Sequence, residues 1–172
     1  MEATARFEDS LVGLAGGRIQ TAHLDVTDLE SIDGAVNECA AWAGRIDIVV
    51  NNAGYALIGP VAELDLADLR AQLETNVVGV VAVTKAVVPQ MVDRKSGRIV
   101  NIGSVSGVTA TPFGGAYCGS KAAIHLISDA LRMELAPFGL RVITVQPGAI
   151  ESRFGEHASE GIERDAGGSL WS

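Results

Sequence analysis

Short apolar runs alternate with longer stretches of helical periodicity along this chain. Residues 19–26, 46–50, 98–103 and 140–145 read as strands: each is a few residues long, rich in β-branched or other apolar side chains, and bounded by turn residues. Residues 3–6 read as the end of one more strand ahead of them. Thr27 reads as an N-cap, and Glu30 three residues on would complete a capping box, opening a helix that runs to about Trp42. Residues 64–93 have room for a short turn and a long helix. Residues 117–136 form another helix, stopped by Pro137 and Gly139. Strands alternating with helices predict an α/β fold around a mostly parallel sheet. The early glycines Gly13, Gly16 and Gly17 follow a helix-like stretch and read as a helix C-cap and turn. After Ser152 the periodicity is lost. Residues 1–155 are therefore expected to form the domain, and 156–172 a lid-like or disordered tail.

Bulk properties narrow the function classes. The chain has 172 residues, 48% of them apolar and 20% charged, which suits one domain with a real core. A net charge of −8 with no cluster of Lys and Arg argues against a nucleic-acid surface. Cys39 and Cys118 fall in predicted helices and give neither a disulfide framework nor a zinc spacing. His23, His125 and His157 are far apart with no ligand partners in sequence, so no metal site is expected. No basic-then-apolar leader pattern is present, and the longest apolar run, residues 77–83, is far below the ~18 residues of a membrane span. A reducing cytoplasm fits these features.

The candidate chemistry lies in Tyr117-Cys118-Gly119-Ser120-Lys121, with Ser104 13 residues ahead of the tyrosine. Tyr and Lys at i and i+4 share one helix face. A cation beside a phenol favours the phenolate, which makes the group usable as a general acid or base. Ser104, reaching in from a strand end, can hydrogen-bond the same substrate oxygen, and Ser106 is close enough to be confused with it. Asn51-Asn52-Ala53-Gly54 closes a strand at its carboxyl end, where ligands bind in open α/β sheets. The asparagine side chains can bridge strands there, and the small residues admit a cofactor to the backbone.

At these residues the chain closely resembles the short-chain dehydrogenase/reductase family, through nearly all of residues 1–155. The resemblance implies a Rossmann-like, doubly wound parallel sheet and hydride transfer between NADP(H) and a secondary alcohol or ketone. It implies that Tyr117 gives or takes the proton and that Lys121 lowers its pKa and holds the nicotinamide ribose. It further implies that Ser104 positions the carbonyl and Asn76 holds a relay water. Asp25-Val26 resembles the family's adenine contact, although Asp25 is equally a helix-start carboxylate. Pro147, Gly148, Ile150 and Ser152 resemble the segment on the nicotinamide, and Asn51, Ala53 and Gly54 the cofactor-facing loop. Ala5 stands where the family's NAD-preferring members carry an acid, and Arg6 follows it. A guanidinium suits a 2′-phosphate, which points to NADP, with NAD possible.

The family's glycine-rich phosphate turn is not found. Aligned by motif, residues 3–6 match the family's second strand, so the first strand, its turn and its helix would lie before Met1, and the last strand after the tail. In the family's sheet the first strand separates the second from the fourth. Two readings follow: a fragment of a longer enzyme, or a protein that has lost cofactor binding and acts through subunit association. Without the first strand, the isolated chain is expected to fold poorly and to bind NADP weakly or not at all. A homodimer or tetramer is expected for the longer protein, through residues 64–93 and 117–136. The spacing of Leu126, Ala130 and Met133 fits such a face, and it equally fits a sheet-facing stripe. The residues around Tyr117 look most like reductases of hydroxysteroid type or of acyl-dihydroxyacetone phosphate.

Overall fold

A computed structural model describes residues 2–6, 11, 13 and 18–149. In chain order these form β1 (Glu2–Ala5), β2 (Gln20–His23), α1 (Leu29–Ala43), β3 (Ile48–Asn51) and a long helix in three parts. That helix comprises α2 (Leu66–Leu73), a π-helical segment (Glu74–Val78) and α3 (Gly79–Asp93). β4 (Gly97–Ile102), α4 (Gly115–Leu135) and β5 (Leu140–Val145) follow. Every strand pair is parallel: β1 with β2, and β3-β4-β5 in that order. Parallel strands with flanking helices make the fold Rossmann-like. Among the described residues no strand joins β1 to β3, so the sheet is interrupted at the place where the resemblance puts the family's first strand.

Alternation along the strands sets which face is buried. Val49, Ile99 and Val142 stand in register on one face of the three-stranded sheet. α1, α3 and α4 close over that face through Val36 and Cys39, Val87 and Met91, and Leu131 and Leu135. Ile99, Met91 and Val87 are essentially inaccessible there, and each such side chain contributes about 1.5–3 kcal/mol relative to exposure. On the opposite face Ile48, Val50, Ile143 and Val145 remain 41–55% exposed. Among the described residues no helix covers them.

Most predicted elements are present within two residues of their expected ends. β2 is shorter, stopping at His23 and not at Val26. Its last ladder bond runs from Leu24 N–H to Ala5 O at 3.0 Å, after which the chain turns. The N-cap of α1 is Asp28 and not Thr27: Asp28 accepts the Glu30 N–H at 2.9 Å. Thr27 instead gives its N–H and its hydroxyl to Asp25 Oδ1, at 2.9 and 2.7 Å. The two neighbouring residues can both cap a helix, and the Asx-turn at Asp25 decides between them. Gly139 ends the α4 region with φ of 77°, as its position in the sequence predicts. Of the early glycines, Gly13 takes a left-handed turn conformation. Gly16, Gly17 and the tail beyond Ala149 lie outside the described residues.

Leu66–Asp93 has the length and mean hydropathy, 1.4, of a membrane-spanning helix. Its residues Val80, Val83, Val87 and Met91 are buried within this fold, as in the central helix of a globular domain.

Candidate active site

The π-helical segment is the first device that builds the site. The N–H of Gly79 bonds to the carbonyl of Glu74, five residues back, so one extra residue is accommodated without breaking the helix. Asn76 lies within it, 1% exposed, at the junction with the β3 loop and α4. Its amide holds both. Asn76 Oδ1 accepts the Tyr55 N–H at 3.1 Å, and Nδ2 donates to Tyr55 O at 2.9 Å and to Ser120 Oγ at 3.1 Å. Ser120 in turn donates to Tyr117 O at 2.7 Å. Both amide donors of Asn76 are therefore engaged in joining the loop after β3 to the tyrosine's own helix.

A second polar chain crosses the sheet beneath it. Asn51 Nδ2 donates to Asn101 Oδ1 at 2.8 Å and to Thr84 Oγ1 at 3.3 Å. Asn101 Nδ2 donates to Ser128 Oγ at 2.8 Å. The chain ties α3, β3, β4 and α4 together at the carboxyl end of the strands. Asn51 does bridge strands, as its position suggests, and both of its amide donors are committed to the protein.

Tyr117, Lys121, Ser104, Asn76 and Gly54 come together around the N-terminal half of α4. The Lys121 ammonium lies 5.7 Å from the Tyr117 ring centroid and donates to Ile102 O at 2.8 Å. Lys121 is 6% exposed, and burial pushes its pKa below the ordinary lysine value. Ser104 is at the end of β4 in extended backbone, and Ser106 lies in the 3-10 turn that follows. The Ser106 N–H bonds to Ser104 Oγ at 3.1 Å, which fixes the hydroxyl oxygen and leaves its proton to donate. A Cβ on Gly54 would fall 3.0 Å from Asn76 Oδ1 and 3.8 Å from Lys121 Nζ. The bare backbone lets the β3 loop lie against this amide and ammonium.

The remaining candidates form two further groups. Arg6 directly follows β1, close enough that its charge acts on both the Asp25 carboxyl and the Tyr55 phenol. The Thr27 N–H and then its hydroxyl hold the Asp25 carboxyl below its ordinary pKa, with Arg6 adding to them. Val26 abuts α3, where a Cβ on Gly79 would stand 2.8 Å from Val26 O. Ala53 is exposed beside Gly54. Pro147 accepts the Val105 N–H at 3.1 Å, which sets its segment beside Ser104, and Gly148 follows it. Ile150 and Ser152 lie outside the described residues.

Sequence reasoning gave no site role to Ser120, Asn101, Ser128, Thr84 or His125, whose hydrogen bonds join the elements around the site. Ser120 carried a signal, since it lies between Tyr117 and Lys121. The others are polar residues in apolar settings that only the packing connects. Among the described residues no group of His, Cys, Asp and Glu could hold a metal ion.

The family model of the short chain dehydrogenases matches residues 2–163. The chain belongs to this family. It is 38% identical over 137 residues to a dehydrogenase/reductase SDR family member 7B of Xenopus tropicalis, covering 80% of this chain and 44% of that protein. Among solved structures it is similar to a gluconate 5-dehydrogenase from Burkholderia cenocepacia in complex with NADP and tartrate, with a TM-score of 0.84. The two are 29% identical, over 99% of this chain and 68% of that one. It is also similar to an NAD+-bound xylitol dehydrogenase, with a TM-score of 0.80 and 34% identity over 86% of this chain and 59% of that one. The chain spans about half the length of the curated relatives it matches.

Proposed function

We propose that the chain carries the catalytic half of an NADP-dependent oxidoreductase that interconverts a ketone and a secondary alcohol. The observation that carries this reading is the Tyr117–Lys121 pair, with its buried ammonium 5.7 Å from the phenol ring, gathered with Ser104 and Asn76 at the carboxyl end of the strands. Tyr117 is assigned the proton transfer to or from the substrate oxygen. Ser104 is assigned a hydrogen bond to that same oxygen, with its own Oγ held by Ser106. Lys121 places positive charge beside the phenol and would reach the ribose hydroxyls. The family role of Asn76 in holding a water remains part of the reading, through atoms other than its two amide donors.

The residues present fit the nicotinamide-ribose end of a dinucleotide. The bare Gly54 backbone lies against the Asn76 amide and the Lys121 ammonium, Lys121 supplies donors, and the Pro147-Gly148 segment lies beside Ser104. Asp25 and Val26 are the residues that would meet the adenine, with Asn51, Ala53, Gly54, Ile150 and Ser152 completing the cofactor set. When bound, the nicotinamide supplies or accepts the hydride. Arg6, with Ala5 before it, favours NADP over NAD, and the NADP-bound structural relative supports that choice, whereas the NAD+-bound relative keeps NAD in play.

The substrate class is read as a hydroxysteroid-like or lipid-derived ketone from the residues around Tyr117, and the compartment as the cytoplasm. Assembly through the long helices is part of the proposal. Leu126 and Met133 on α4 are 72% and 73% exposed, so they point away from the sheet, which favours a subunit contact. The test is a ketone panel with NADPH and NADH, run on the whole protein that carries this chain. Cofactor oxidation that depends on a ketone supports the reading, and none across the panel, with the protein folded, contradicts it.

A further inference from the structure

The loop that presents Ser104 is held from two sides. On one side the parallel ladder continues past the strand ends, with Gly103 N–H bonded to Val145 O at 2.7 Å and Val105 N–H to Pro147 O at 3.1 Å. The N–H between them, that of Ser104, goes to a side chain: His125 Nε2 accepts it at 3.4 Å. His125 stands one turn beyond Lys121 on α4. Its ring occupies the space left by two glycines. A Cβ on Gly107 would lie 2.5 Å from the ring Cε1 and 2.8 Å from Nδ1, and one on Gly103 would lie 2.8 Å from Cδ2. The imidazole is thus wedged between the residue before Ser104 and the end of its 3-10 turn.

We propose that His125 is a positioning residue for Ser104. In its neutral form, with the proton on Nδ1, the imidazole fixes the Ser104 backbone to the helix that carries Tyr117 and Lys121. Two groups assigned to one substrate oxygen are thereby kept in a constant relation. Protonating the ring turns Nε2 into a donor facing another donor, and the contact is lost. The charged groups around it are Lys121 and Asp129 on its own helix, with Arg132 paired to Asp129. The strand and loop bring Thr144, Gly103, Ser104 and Gly107, which carry no charge. Burial, with Lys121 opposing Asp129, moves the imidazole below its ordinary pKa, so the neutral form is the working one at neutral pH.

The positioning role rests on the proposed reaction, whereas the contact itself does not. The test therefore has two arms on the whole protein. In the first, nitrogen-15 spectra follow the Ser104 amide and the His125 ring nitrogens as pH falls. The amide should shift with the ring's own titration, and in His125→Gln, whose amide oxygen can also accept, that dependence should vanish. In the second, His125→Phe should lower kcat for ketone reduction about tenfold or more with the KM for NADPH little changed. His125→Gln should recover most of the rate and flatten the acid limb of the pH profile. An amide indifferent to the ring's titration overturns the contact, and a His125→Phe enzyme with wild-type kcat and pH profile overturns the positioning role. If the wild type reduces no ketone while the amide follows the ring, the contact stands and the reaction reading is what fails.

Discussion

Replacing Asn76 by alanine removes three hydrogen bonds at once: from Tyr55 N–H, to Tyr55 O and to Ser120 Oγ. At a net value near 1 kcal/mol each, their sum is about 3 kcal/mol. Tyr55 is 36% exposed, so its backbone groups can recover some water, and a loss of about 2–3 kcal/mol is expected. At roughly 2–4 °C per kcal/mol for a protein of this size or somewhat larger, the melting temperature should fall by about 4–12 °C. Urea titration of the whole protein carrying the chain measures this directly. The midpoint should drop with the slope unchanged, because the surface exposed on unfolding is the same. Asn76→Asp should be at least as harmful, since it turns a carboxylate oxygen toward the Tyr55 carbonyl in place of a donor. A loss below about 0.5 kcal/mol in Asn76→Ala, within the range of an ordinary surface change, would refute the clamp.

Gly79→Ala should destabilise by about 1–3 kcal/mol, because its Cβ would meet Val26 O at 2.8 Å; an unaltered melt would show that α3 does not pass so close. Arg6→Asp should move the ratio of kcat/KM for NADPH over NADH toward NADH, by setting a like charge against the 2′-phosphate, and an unchanged ratio would mean that Arg6 does not face the ribose. Asp25 binds its proton less readily folded than unfolded. Its contribution to stability should be complete above the unfolded pKa of about 3.9 and be lost as pH falls through the lower folded value. Urea midpoints from pH 2 to 6, roughly the span around that value, should therefore decline less steeply in Asp25→Asn than in the wild type; parallel declines would count against the Thr27 contacts.

The alternation of strands and helices was legible because the strands are short apolar runs and the helices are long enough to show a period. β5 ends where residues 140–145 say it should. The capping of α1 was misread because Thr27 and Asp28 are both competent caps, and the choice depends on Asp25 accepting from Thr27, a local tertiary detail. The π-helical segment left no trace in sequence, since one inserted residue alters the facing of Asn76 without altering composition. The outward direction of Leu126 and Met133 could not be told from an inward stripe until the other face of α4 was seen against Ile99 and Val142. His125 looked like an isolated histidine, because its partners, Ser104 and two glycines, are 18 to 22 residues away in the chain and are recognisable only by the space they leave. The Tyr117–Lys121 spacing was legible because helical geometry alone puts the two on one face.

Tyr117 is the group proposed to exchange the proton with the substrate oxygen. Ketone reduction with NADPH should be measured for the whole protein and for Tyr117→Phe, with NADPH binding followed in parallel by fluorescence. The change removes only the hydroxyl from the ring that Lys121 faces. A loss of kcat on the order of 10²-fold or more with NADPH binding largely retained is the predicted result. A phenylalanine variant that keeps more than about a tenth of the wild-type kcat, far outside the range for a lost general acid, would contradict the assignment.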